Sequence, residues 1–147
     1  MGDGPSIKIK QIDGYKFMID FGEVRSTLVV DEAEPIGKGE GPFPEQILIA
    51  GVTNCLCASL VFAAGKFKQD VQGVEAEALC RVERNGEGRL RITGIDVKIA
   101  LGASMEAMPR IDRVLEQFER FCTVSESVQA GIPVTVAVHD GLGTLLR

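Results

Sequence analysis

Between Ile47 and Gly65 the chain carries no charged residue. Such a run reaches the length of a membrane-spanning helix, for which about 20 mostly apolar residues are needed. Its middle argues for a different use. Gly51, Thr53, Asn54, Cys55, Cys57 and Ser59 are small or polar, one flank lacks basic residues, and no aromatic belt borders the run. The pattern is that of a central helix in a globular protein, covered on all sides. Pro44 suits its first turn, because proline lacks the donor that a helix start leaves unpaired. Glu45 then suits the positive end of the helix dipole.

The segments around this helix read as an α+β chain. Ile7 and Ile9 alternate with Lys8 and Lys10, predicting a half-buried strand. Asp13-Gly14 marks a turn into a second strand with Phe17, Ile19 and Phe21 on one face. A third strand is expected over Val24 to Val30, and the Gly-, Pro- and acid-rich stretch from Asp31 to Phe43 reads as a loop. After the helix, Val74, Ala76, Ala78, Cys80 and Val82 share a strand face, and Asn85-Gly86 turns the chain back. In the returning strand the alternation slips at Gly94, predicting a bulge. Met108, Ile111, Leu115, Phe118 and Cys122 fall on one helical stripe, and Pro133 to Val138 reads as a last strand. No linker or repeat divides residues 1–147, so a single domain with antiparallel pairing is expected.

Charge and composition narrow the function. A net charge of -5 argues against a nucleic-acid partner, which would need a basic surface. Met1 to Pro5 has no apolar signal core, so a cytoplasmic location is expected, where thiols stay reduced. The four cysteines then read as catalytic, metal-binding or inert rather than as a disulfide frame. With one histidine and no C-x-x-C pair, a zinc site is not expected. Cys80 reads as a small buried hydrophobe. Cys55 and Cys57 point about 200° apart on a helix, so only one can face a given partner. Cys55 shares its stripe with Gly51, Val52 and Ser59, which leave room for a ligand. Cys57 shares its stripe with Ala50, Val61 and Ala64, a packing face. Thr123-Val124-Ser125-Glu126 has the form of a capping box, so a helix should start just after Cys122. Its positive end would favour a thiolate there. The alternative is that Cys122 fills the gap between two helices. His139 carries no assigned role.

Two segments together resemble a known family. Pro44-Glu45-Gln46-Ile47-Leu48-Ile49-Ala50-Gly51-Val52-Thr53-Asn54-Cys55 is similar to the first cysteine segment of the OsmC and organic hydroperoxide resistance (Ohr) superfamily. Phe121-Cys122-Thr123-Val124-Ser125 resembles its second cysteine motif, with Thr123 where a proline usually stands. The resemblance implies an OsmC-like fold, antiparallel sheets around a long buried helix, and an interlocked homodimer. It also implies thiol-dependent reduction of organic hydroperoxides or hydrogen peroxide. On that reading Cys55 matches the peroxidatic cysteine and Cys122 the resolving one. Glu45 matches a glutamate that orients an arginine beside the thiolate. No resident cofactor is implied; the reductant would be an external dithiol, such as a lipoyl group.

Two points qualify the match. About 15 Å of helix rise separates Glu45 from Cys55, so either the helix breaks or Glu45 serves a partner's site. No clear counterpart of the arginine precedes the first motif, leaving Arg25 and Lys16 as candidate cations. The competing readings are therefore a non-catalytic relative that binds an apolar or thiol-reactive small molecule at a dimer interface, and a fold with inert buried thiols.

Overall fold

The uncharged run folds as one unbroken helix in the computed structural model, which describes residues 4–24 and 26–146. Helix α1 spans Pro44–Lys66, 23 residues, an axial length of about 34 Å. The Gln46 side-chain oxygen accepts a hydrogen bond from the Phe43 amide at 2.9 Å. That closes one half of a capping box; Phe43 has no oxygen with which to close the other. Among the described residues α1 alone is long and apolar enough to cross a membrane. One side of it is a core face instead: Val52, Ser59, Leu60, Ala63 and Ala64 are buried. The expected cover on all sides is not met by a single chain, since Leu48, Val61 and Phe62 remain exposed.

Three strands precede α1: β1 (Lys8–Asp13), β2 (Lys16–Asp20) and β3 (Thr27–Val30), antiparallel in that order. The Asp13-Gly14 turn forms as expected, with Gly14 at φ +51°. The apolar face of β2 is also as expected, with Ile19 buried. β1 differs from expectation. Its residues are all exposed, Ile9 at 56 %, because within one chain β1 packs chiefly against β2.

The loop from β3 to α1 is tied by buried Asp31. Its carboxylate accepts from the amides of Glu32 at 2.8 Å and of Lys38 and Glu40, each at 3.1 Å. These bonds hold the Asp31 carboxyl below the usual range, led by the Glu40 amide; desolvation opposes them. Gly41 then passes tightly over β3. A Cβ at that position would lie 2.4 Å from the Val29 carbonyl oxygen.

After α1 come β4 (Val74–Arg84) and β5 (Leu90–Leu101), an antiparallel hairpin with β4 laid along α1. The predicted bulge is present: Arg81 pairs with Gly94 and Val82 with Ile92, leaving Thr93 as the extra residue. The turn is longer than Asn85-Gly86 alone. Asn85 Oδ1 accepts from the amides of Glu87 and Arg89, each at 3.0 Å, and the left-handed residue is Gly88 at φ +75°.

The next segment divides into α2 (Ile111–Gln117), a 3-10 turn (Phe118–Phe121) and α3 (Thr123–Ala130). Ile111, Val114 and Phe118 pack with Leu60, Ala63 and Ala64 of α1 in the core. Leu115, expected inside, is exposed at 50 %, and Val114 takes its place. The strand expected over Pro133 to Val138 is not formed. Among the described residues no strand edge pairs with it, and Val134 is 83 % exposed. One bridge between His139 and Leu145 closes the C-terminal turn.

Candidate active site

The site lies where the middle of α1 meets the first turn of α3. A helix leaves its first four amides without intrahelical partners, and in α3 each of them is accounted for. The Cys122 amide donates to the Glu119 carbonyl at 2.9 Å. The Thr123 and Val124 amides face Cys55 and help to hold its thiol below the ordinary range. The Ser125 amide donates to Cys122 Sγ at 3.3 Å. Two of the four amides thus serve one sulfur and a third serves the other.

This corrects the expected cap. Cys122 itself is the N-cap residue, at φ -83° and ψ 93°, and its sulfur accepts the bond that Thr123 was expected to take one residue later. Thr123 is instead the first helical residue, so its hydroxyl is not at the capping position. The expected placement of Cys122 beside a positive helix end holds.

The two thiols lie close enough to shift one another's acidity, and their environments drive them apart. Cys55 is held below the ordinary thiol range, first by the hydrogen bond from Cys122, then by the Val124 amide, with Ser59 and the Thr123 amide adding to them. Desolvation opposes these bonds without overcoming them. Cys122 is pushed up, first by burial and then by its bond to Cys55; the Ser125 amide only partly offsets this. Cys122 is 0 % exposed, whereas Cys55 is half-buried and reachable. The first proton that the pair loses therefore comes from Cys55, with Cys122 still protonated beside it.

Cys55 opens onto a cleft of about 410 Å³ lined by Ala58, Ser59, Phe62 and Phe121. The Phe62 and Phe121 rings meet edge to face, 5.2 Å between centroids. A larger cavity of about 560 Å³, bounded by Val52, Leu56, Ile95, Phe118 and Val128, includes neither sulfur. Ser59 was legible in the sequence only as a small neighbour of Cys55. It is buried one turn further along α1, and its hydroxyl hydrogen-bonds both sulfurs. The i+4 spacing was the available signal.

Glu45 is not brought to Cys55. The helix between them does not break, and among the described residues no cation pairs with Glu45. Lys16 pairs with Glu40 on the loop before α1 and is not among the groups that set the acidity of Cys55. Arg25 lies outside the described residues. Cys80 is half-buried on β4 and Cys57 half-buried on α1.

Solved structures share this architecture. An OsmC-like protein of unknown function from Vibrio cholerae superposes with a TM-score of 0.70 at 14% identity, over 87% of this chain and 95% of that one. An organic hydroperoxide resistance protein OsmC from Legionella pneumophila gives 0.65 at 16% identity, over 84% and 89%. The organic hydroperoxide resistance protein OhrB of Bacillus subtilis gives 0.63 at 17% identity, over 86% and 92%. At these identities the likeness establishes the α+β fold. No curated protein matches the chain in sequence. The sequence profile of the OsmC-like protein family matches residues 37–137, which carry α1, both sheet strands that follow it and both sulfurs, and the chain belongs to that family.

Proposed function

We propose that the chain is a thiol-dependent peroxidase that reduces organic hydroperoxides, with Cys55 peroxidatic and Cys122 resolving. The observation that carries this reading is Cys122 capping the N-terminus of α3 beside Cys55, in surroundings that drive the two thiols to opposite acidities. Membership of a family whose fold relatives include organic hydroperoxide resistance proteins supports it.

The chemistry follows from the pair. The Cys55 thiolate attacks one oxygen of the peroxide; an S–O bond forms as the O–O bond breaks. The alkoxide leaves and takes a proton, giving the alcohol, and Cys55 becomes a sulfenic acid. The Thr123 and Val124 amides hold the attacking sulfur before the step. Cys122 then loses its proton and attacks Cys55 Sγ. An S–S bond forms, the S–O bond breaks, and hydroxide leaves as water once protonated. The mutual influence of the two thiols supports this step, since a disulfide needs Cα atoms within about 7 Å. An external dithiol restores both thiols and is itself oxidised to a disulfide. Glu45 acts on this reading in the site of a second copy, since its own helix holds it about 15 Å along the axis from Cys55.

Reduced protein mixed with cumene hydroperoxide should consume peroxide and gain a Cys55–Cys122 disulfide. Cys55→Ser should abolish turnover. Cys122→Ser should consume about one equivalent and leave a sulfenic acid that dimedone traps. Full turnover by Cys55→Ser would sink the reading.

A second reading has its own support: among the described residues no cation contacts Cys55, and Thr123 replaces the usual proline. It is a non-catalytic relative that binds an apolar or thiol-reactive ligand. It predicts no peroxide consumption by wild-type protein, with a melting temperature still raised by an apolar ligand.

A further inference from the structure

One stripe of α1 runs from the reactive thiol to a cation. Cys55, Ser59, Phe62 and Lys66 stand at i, i+4, i+7 and i+11, which places them within about 60° of one another around the helix. Phe121, next to Cys122 in the chain, roofs the stripe from the other element. It packs on Phe62, and Lys66 Nζ lies 4.7 Å from the centre of its ring. The aromatic pair therefore links the thiol, which lines the cleft, to an ammonium that stands over the Phe121 ring beyond the lining residues. Among the described residues no carboxylate lies within ion-pair distance of Lys66. The last turn of α1 alone would account for a cation here, through the dipole. It does not account for the side chain lying over the wall of the reactive cleft.

We propose that Lys66 is a specificity-determining residue, which makes the Cys55 cleft select ligands that carry an anionic group at the end of an apolar body. The two groups orient such a ligand. A thiolate at Cys55 repels the anion, Lys66 attracts it, and the apolar body lies on Phe62 and Phe121. The axial rise from Cys55 to Lys66 is about 16 Å, and lysine on a helix leans back toward the N-terminus. A chain of medium length can therefore place its head on Lys66 while its far end meets the sulfur. For a hydroperoxide substrate this inference rests on the peroxidase reading; for binding it does not.

The experiment uses matched probes of one chain length. Alkylation of Cys55 by iodoacetamide is followed by peptide mass spectrometry in the presence of decanoate or decanol, below their aggregation limits. Decanoate should protect wild-type Cys55 about three- to fivefold better than decanol, the range open to an exposed ion pair. Added salt should reduce that preference. Lys66→Gln should abolish it, Lys66→Arg should keep it, and protection by decanol should be the same in all three. Equal protection of wild type by both probes overturns the proposal, as does an unchanged preference in Lys66→Gln. Turnover of neutral cumene hydroperoxide by the same preparations is read separately. Its absence would overturn the peroxidase reading, while the protection ratio still decides the role of Lys66.

Discussion

At the scale of single residues the site is a contest over one proton. Burial works against a charge on either sulfur, but Cys55 has amides and a thiol turned toward it, while Cys122 is enclosed and has only the Ser125 amide and the Ser59 hydroxyl. The Ser59 hydroxyl adds to the stabilisation of the Cys55 thiolate. A hydrogen bond of this kind contributes about 1 kcal/mol, or roughly fivefold in an equilibrium. Ser59→Ala should therefore raise the pH at which Cys55 becomes reactive. Its alkylation near neutral pH should slow by about that factor, as a pH–rate profile will measure. Asp31 shows the same principle in a structural role. Its folded carboxyl is depressed, so its contribution to stability is complete above the free-carboxyl value of about 4. That contribution is lost as pH falls through the lower folded value. Protection of the Lys38 and Glu40 amides, relative to their intrinsic exchange rates, should fall on acidification in wild type and should already be low at neutral pH in Asp31→Ala.

At the scale of elements, α1 carries the fold as well as the thiol. Leu60, 2 % exposed, joins it to the core that also includes Val114 and Phe118. Leu60→Ala should cost about 2–5 kcal/mol of stability in a denaturant titration, from lost transfer energy and the cavity left behind. Much of this level was legible in the sequence. The charge-free run, the Asp13-Gly14 turn, the bulge beside Gly94 and the helix start near Cys122 each rest on a local rule, and each formed. What was not legible depended on tertiary choice. Val114 and Leu115 are both apolar, and only packing against Leu60, Ala63 and Ala64 of α1 selects the first for the core. Ser59 reads as a small residue until α3 brings a second sulfur against it. The cap moved by one residue because a sulfur at the N-cap is a weak acceptor by sequence rules, and it is effective here because it is buried with the amide it accepts from.

The whole molecule leaves apolar surface without cover. Ile9 and Ile12 of β1, Val61 of α1, and Ile132, Val134 and Val136 near the C-terminus are each exposed in one chain. A sequence that alternates like a strand, as residues 133–138 do, needs an edge to pair with. We expect a homodimer in which this surface is buried and residues 133–138 pair as a strand. Analytical ultracentrifugation should give about twice the 15.8 kDa mass of the chain. Amides of Thr135 and Ala137 should be protected from exchange at concentrations that support the dimer and lose protection on dilution.

The sulfur of Cys122 closes the first turn of α3 as well as facing Cys55. A helix terminus and a redox couple therefore share an atom. Joining that sulfur to its neighbour fixes its torsions, so the Ser125 amide must find its acceptor again in a new geometry. The proton on that nitrogen becomes a gauge of oxidation state. Its exchange rate should differ between reduced and oxidised protein, while that of Leu60, deep in the other helix, should hardly move.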